Sequence, residues 1–597
     1  MSNRYIAVNW NRQKRLYDTT IALGVLLLVA GFFVATLLSH PHMTAETGLI
    51  RGLGLTGFVL LHVILLIGPL CRLDPRFLPL LYNRRHLGVT LCLVALGHAG
   101  FVLFQYHALG DVNPLASLLG ANLAFGSLAG FPFELLGVAA LLILIVMAAT
   151  SHDFWLSVLS PRVWKALHML VYLAYALLVG HVALGAMQAE SGWVGPLALA
   201  LGFALVVGLH LAAGLRERQG DRPDAGGEWV PVCRVEEIPE RRARLAMVAG
   251  ERVAVFRSEG RLSAVSNVCK HQNGPLGEGR VVDGCITCPW HGYQYRPEDG
   301  TSPPPFDDKV PTYDVRVDAG LVTVRRGAHP PGTRVEPVAV QETGSRGAAE
   351  WTPETAPPFY IGYAPAAAPE LARHTRKAVA LIGAAALATV IALALAQAPF
   401  AASRFEYGQP RSVTGRLVAA PYPRLEVAAA GGVTQYLLAA AGKHGAAALA
   451  APLDGRMVRL RGTLAQRGNA AMLEIDSLVP AEAAPAAPLT QQPLGEFALT
   501  GEIVDSKCWT GVMNPGEGKT HLECAVRCVS GGLPPLLALR DSLGREAQLV
   551  LTDIQGGPLP REVLPLVGRP VRVHGTVVRE GSLLFLRTSP GAVEVLR

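Results

Sequence analysis

The chain has 597 residues, too many for a single hydrophobic core. Half of them are apolar and 17 % are charged, against about a quarter in ordinary soluble chains, which excludes a wholly soluble protein and points to a membrane. The net charge of +7 is spread over short loops, so it reads as membrane topology rather than as a nucleic-acid-binding face.

In chain order, apolar stretches long enough to cross a bilayer lie near 20–39, 52–71, 87–107, 133–150, 166–187, 194–215 and 378–398. The first, from about Thr20 to Leu38, is longer than a signal-peptide core and lacks a convincing cleavage site, so it reads as a retained span after a short basic segment, 1–19. Arg4, Arg12, Lys14 and Arg15 precede it; Arg72, Arg76, Arg84 and Arg85 separate the second and third spans; Arg162 and Lys165 separate the fourth and fifth; Arg216, Arg218 and Arg222 follow the sixth. The alternate loops are nearly free of Lys and Arg, and Ala108 to Pro132 has none. The positive-inside rule therefore predicts a cytoplasmic N-terminus, a cytoplasmic segment after the sixth span, and everything after Gln397 on the far side.

The spans contain His62, His98, His168, His181 and His210 at membrane depth, with His86 at a boundary. Ionisable groups there are costly and usually face a bundle interior, and neutral imidazole is a strong axial ligand for haem iron. His168 and His181 lie thirteen residues apart on one predicted helix, about 20 Å along its axis. The third and fifth spans run in the same direction, so His98 and His181 can meet at similar depth. His168 needs an inner partner, for which His62 and His86 compete. His210, His86 and His107 read as hydrogen-bonded interhelical histidines.

Arg84-Arg85-His86-Leu-Gly with His98 twelve residues on, and Trp164-Lys-Ala-Leu-His168-Met-Leu-Val-Tyr-Leu-Ala followed by His181, resemble the ferric-reductase-like transmembrane family, which includes the haem-binding membrane subunit of bacterial methionine sulfoxide reductase systems. The resemblance covers a six-helix domain at about 20–218 and implies haem b, one or two, with ligands at His98, His168 and His181. His62 is additional to the family pattern and is taken as the fourth ligand. No Gly-rich dinucleotide loop or flavin-binding segment is visible, so the chain is expected to lack its own flavin or nicotinamide site.

Cys269-Lys-His271 and Cys288-Pro-Trp-His291 then supply two thiolates and two imidazoles in one soluble segment. That set suits a [2Fe–2S] cluster with histidines on one iron; zinc is the rival, although its knuckles usually space the first pair more widely. The surrounding Gln-Asn-Gly-Pro-Leu, Gly284-Cys285-Ile-Thr and Tyr313-Asp-Val-Arg-Val resemble the Rieske ferredoxin domains of bacterial oxygenase systems, over about 228–330. The resemblance implies an all-β domain with Cys269, His271, Cys288 and His291 as cluster ligands. Gly274 stands where the respiratory type has a disulfide cysteine, which implies a lower potential. Cys285 reads as a buried core thiol.

A Pro-rich tether, 331–377, leads to the seventh span. Beyond it, Gly415-Arg-Leu-Val, Val458-Arg-Leu-Arg-Gly-Thr-Leu and Met472-Leu-Glu-Ile are echoed by Gly501-Glu-Ile-Val, Val571-Arg-Val-His-Gly-Thr-Val and Leu583-Leu-Phe-Leu. Alternating apolar residues with Gly turns predict two small β-barrels of OB-like kind, at 405–482 and 494–597, joined by an Ala/Pro-rich linker. Only the second carries an insertion with Cys508, His521, Cys524 and Cys528. In an oxidising compartment it reads as either one disulfide with an odd thiol or a second redox or metal site.

The expected fold is thus a multidomain membrane protein: a six-helix bundle, an all-β Rieske domain, a seventh transmembrane helix and two small β-barrels. The expected function is transmembrane electron transfer in a bacterial inner membrane. A cytoplasmic cluster would exchange electrons with membrane haems, and these with a periplasmic acceptor. The partners implied are a soluble one-electron donor (ferredoxin, flavodoxin or reductase) or quinol, and no nucleic acid. Quinol/quinone oxidoreduction and a non-catalytic redox sensor stay open as alternatives. A Rieske oxygenase is disfavoured because no 2-His-1-carboxylate iron domain is visible.

Overall fold

The computed structural model describes residues 12–81, 83–152, 155, 158–159, 161–189, 192–220, 227–270, 274–289, 292–340, 368–429, 432–482 and 489–596. Helices α1 (Arg12–Ser39), α2 (Ala45–Leu73), α3 (Arg84–Val102), α4 (Glu134–Ala149), α5 (Pro161–Met169), α6 (Val171–Leu184), α7 (Val194–Gly220) and α8 (Pro369–Leu395) form the membrane part. Among the described residues, six helical runs are long and apolar enough to cross a bilayer, with α5 and α6 counted as one. The expected span at 133–150 is the shorter helix α4, whose 16 residues rise about 24 Å.

The bundle core is built where α2 packs on α3, α4 on α6, and α7 on α2. Leu61, Leu91, Ala140 and Ala174 meet in it, while Leu26, Leu93, Leu142 and Leu201 point outward and remain exposed, as a lipid-facing surface requires. Helix α8 packs on α1, where Val390 and Ala394 bury against Leu28 and Phe32. Two departures from regular helix matter for the sites. Between α5 and α6 the Leu170 amide donates three residues back, to Leu167. At the end of α3, Leu103–His107 forms a wider turn in which the Ala108 amide reaches back to Leu103; such insertions often mark functional positions.

The segment after α7 is all-β. Trp229–Arg234, Val315–Asp318 and Leu321–Arg325 form one antiparallel sheet. Ala243–Val248, Glu251–Ser258 and Arg261–Ser266 form the heart of a second. A small third sheet, Arg280–Val282, Cys285–Thr287 and Gln294–Tyr295, carries one cysteine loop. After α8 come two five-stranded closed barrels of the same topology. In the first, Met457–Arg467 pairs with both Arg411–Val418 and Ala470–Pro480, and Gly432–Ala439 runs parallel to the latter. In the second, Gln491–Asp505 pairs with Pro535–Arg540 and Pro570–Glu580, and Glu546–Thr552 runs parallel to Leu583–Arg587. The repeat read in the sequence is a repeat of strand order.

The units touch the bundle at opposite ends. The Rieske-like segment meets it through Arg252, 3.6 Å from Glu217 on α7, which also lies 3.5 Å from Arg72 at the end of α2. The second barrel and its insertion meet the ends where α1 stops and α2 starts. There Thr47 bonds the Asn514 carbonyl and the Asn514 side chain bonds the His42 carbonyl.

Candidate functional site

His98 on α3 and His181 on α6 come face to face, with ring centroids 6.4 Å apart and planes crossed at 88°. Their Nδ1 atoms are tied down by the carbonyls of Ile50 and Phe133, each at 2.9 Å. Behind the rings the backbone comes very close: a Cβ at Gly54 would sit 3.0 Å from His98 Nδ1, and one at Gly137 would sit 2.9 Å from His181 Nδ1. Nε2 is therefore the nitrogen on the open side of each ring. A metal held by one nitrogen of each ring at about 2 Å would set the centroids a little over 6 Å apart. The two residues would suit holding a haem iron through Nε2, with the backbone carbonyls fixing the tautomer. The glycines could not be read as part of this from the sequence, since either sits in an ordinary apolar helix.

The other membrane histidines divide differently. His168 Nδ1 bonds the Trp164 carbonyl at 3.0 Å, the Trp164 indole stacks on the ring at 3.9 Å, and Ser151 Oγ lies 3.4 Å from Nε2. His62, expected as the fourth ligand, is committed elsewhere: Nδ1 to the Phe58 carbonyl at 2.8 Å and Nε2 to the Tyr175 hydroxyl at 3.1 Å. Tyr175 lies seven residues beyond His168. His210 bonds the Val206 carbonyl and the Tyr172 hydroxyl. His86 meets Asp18 at 2.8 Å, and His107 meets Ser117 and Glu523 at 3.0 Å. His86 and His210 are thus hydrogen-bonded between helices as the sequence predicts, whereas His107 Nε2 approaches Glu523 without hydrogen-bond geometry.

In the β segment Cys269 follows the strand Arg261–Ser266 and Cys288 follows Cys285–Thr287, both 1 % exposed and both packed with Leu276, Ile286 and Tyr295. The Cys269 amide donates to Gly274 and the Cys288 amide to Tyr293, which closes the two loops. The Tyr295 hydroxyl accepts from the Lys270 amide at 3.0 Å and lies 3.4 Å from Cys269 Sγ. A hydroxyl donating to a ligand sulfur stabilises the reduced state of an iron–sulfur centre, and nothing in the sequence marks this residue. His271 and His291 lie outside the described residues. Cys285, expected as a buried core thiol, is only partly buried at the start of the central strand of its small sheet.

The far-side cysteines also converge. The Sγ atoms of Cys508, Cys524 and Cys528 all lie within 4.8 Å of one another, with Cys524 and Cys528 3.9 Å apart, and all three are unbridged. His521 is fully buried beside them, its Nε2 2.8 Å from Asp505 Oδ2.

Known proteins divide along the same lines. The Rieske [2Fe-2S] domain family matches residues 228–314, and the ferric reductase like transmembrane component family matches 53–179. The anthranilate 1,2-dioxygenase ferredoxin subunit of Burkholderia cepacia is 36 % identical over 104 residues, which is 17 % of this chain and 94 % of that one. The chain belongs to the Rieske family, fused to a ferric-reductase-like membrane component. The alkene monooxygenase ferredoxin component of Xanthobacter autotrophicus is 29 % identical over 16 % of this chain and 80 % of its own. The oxidoreductase NdmD of Pseudomonas putida is 30 % identical, but the chain spans only 20 % of its length. This is therefore a multi-pass membrane protein with a [2Fe–2S] domain, and the pairing of the two families makes it a membrane electron-transfer oxidoreductase with redox partners.

Proposed function

We propose that the chain carries single electrons across a bacterial inner membrane. The route runs between a cytoplasmic Rieske centre at Cys269, His271, Cys288 and His291 and b-type haem held by His98 and His181, then to a periplasmic acceptor. When bound, the cluster and the haem each supply a one-electron iron couple that changes charge without moving heavy atoms. The observation that carries the reading is the crossed His98–His181 pair, 6.4 Å between centroids, inside a bundle with the Rieske unit at one end and the barrels at the other.

The chain's own residues have three tasks in this reading. The Ile50 and Phe133 carbonyls keep a proton on Nδ1 of each ring and leave Nε2 facing inward. The packed bundle around Leu61, Leu91, Ala140 and Ala174 keeps water out of the path and lowers the local dielectric, which limits reorganisation around a moving charge. Arg252, Glu217 and Arg72 hold the Rieske unit against the membrane end of α2 and α7. His168, with Nε2 3.4 Å from Ser151 Oγ, is the family position for a second, inner site. The Lys and Arg loops set the orientation, and the donor is a ferredoxin, flavodoxin or reductase, or quinol in the reverse sense.

The test uses the full chain in sealed liposomes with a reduced ferredoxin outside and a ferric chelate trapped inside. Ferric reduction that depends on His98 and His181 supports the reading. Equal reduction by His98→Ala and wild type would overturn it.

A further inference from the structure

The structure assigns a site to a thiophilic metal ion in the insertion of the second barrel, held by Cys508, Cys524, Cys528 and His521. Helix α9 (Leu522–Ser530) places Cys524 and Cys528 one turn apart on one face, and the turn Cys508–Val512 brings the third thiol over them. The three Sγ atoms lie within 4.8 Å of one another, and those of Cys524 and Cys528 are 3.9 Å apart. Three thiolates each about 2.3 Å from one zinc-like ion have that spacing. Soft sulfur ligands select zinc or copper(I) over hard cations.

A second, independent observation concerns the imidazole. His521 is fully buried, its Nε2 is taken by Asp505, and its Nδ1 has no hydrogen-bond partner among the described residues. An orphaned nitrogen in a dry interior is destabilising, and a metal bond removes that cost. One nitrogen of this ring lies within 4.8 Å of both Cys508 Sγ and an Asp505 oxygen, a group that shares Cys508 with the cluster of three thiols. Asp505 has the part of the outer carboxylate that fixes ring orientation in histidine-ligated metals: Oδ2 meets His521 and Oδ1 accepts the Cys508 amide at 2.8 Å. Cys3His is a recurrent closed, structural coordination set, and no ligand here is more than 6 % exposed.

The location gives the site a task. Its cysteines pack with Tyr422 and Met472 of the first barrel, Val550 and Phe585 of the second, and Tyr106 from the end of α3. Cys524 Sγ also lies 4.0 Å from the Gln105 carbonyl. The ion would pin three units together at the outer mouth of the bundle, seven residues past His98 on the same run.

The experiment measures zinc, copper and iron by mass spectrometry in the detergent-purified full chain, alongside free thiols counted after denaturation. About one zinc or copper per chain is expected, and the element found says which ion it is. Cys524→Ser/Cys528→Ser should lose it without changing the iron content. His521→Ala should lower occupancy at least tenfold in competition with a chelator of matched affinity, and Asp505→Asn should lower it less. Wild type with only iron, a disulfide among the three cysteines, or unchanged zinc in the double variant would overturn the assignment. Cadmium added to metal-stripped protein gives a second readout: a thiolate-to-metal ultraviolet band in wild type, absent from the double variant.

Discussion

Residues 54 and 137 show why an imidazole can sit where it does. Alanine in place of a helical glycine normally stabilises by about 1 kcal/mol. At Gly137 the added methyl would lie 2.9 Å from His181 Nδ1, so the sign should reverse for the site although not for the helix. Gly137→Ala is expected to lower low-spin haem absorbance while helical circular dichroism stays the same; an unaltered Soret band would count against the pairing. His62→Ala is expected to leave haem content unchanged, because both its nitrogens serve Phe58 and Tyr175. Loss of a haem in that variant would restore His62 as a ligand. At the cluster, Tyr295→Phe removes a hydroxyl 3.4 Å from Cys269 Sγ. A hydrogen bond to a charged group contributes about 1.5–3 kcal/mol, so an EPR-monitored titration should find a clearly more negative midpoint, with the signal intact. The proposed haem ligands His98, His168 and His181 are visible in the sequence because polar groups stand out in an apolar run. Tyr295, Gly54, Gly137 and Asp505 are not. Each acts through a neighbour that only the folded chain brings close, as Asp505 does across sixteen residues to His521.

At the scale of elements, hydropathy predicts the spans well, and strand alternation predicts both barrels down to their repeat. What periodicity cannot fix is helix rotation and local winding. The wide turn Leu103–His107 aims His107 at Glu523 and the Gln105 carbonyl at Lys443, 2.9 Å away; a regular helix would turn them elsewhere. The second barrel also carries a pH dependence. Burial raises the Glu502 carboxyl to about 7, opposed by the Gly518 amide that donates to it at 2.7 Å and aided by the charge of Glu517. A carboxyl whose folded pKa lies above its unfolded value contributes its full stability below about 4.5. That contribution is lost as pH rises to about 7, at up to about 1.4 kcal/mol per pH unit. Glu502→Gln should flatten this fall in barrel stability between those pH values. A wild-type slope retained in the variant would assign it to another group.

Across the whole molecule, the arrangement is one of opposed docking. Arg252 and Glu217 join the Rieske unit at one end. At the other end Lys443 takes the carbonyls of Gln105 and Ala108, and Arg527 meets Ser117 at 2.8 Å. The charge pattern of the loops predicts which soluble part lies on which side. It gives no hint of this docking, because Thr47, Gln105, Ser117 and Lys443 look like ordinary loop and helix-end residues until their partners are placed. The central claim is a continuous one-electron route through His98 and His181, and one set of spectra tests it most directly. Dithionite-reduced, detergent-purified full chain from haem-replete cells should show a Rieske EPR signal together with a low-spin haem Soret and α band, and the haem bands should diminish in His181→Ala. A Rieske signal from protein that is colourless near the Soret band would contradict it.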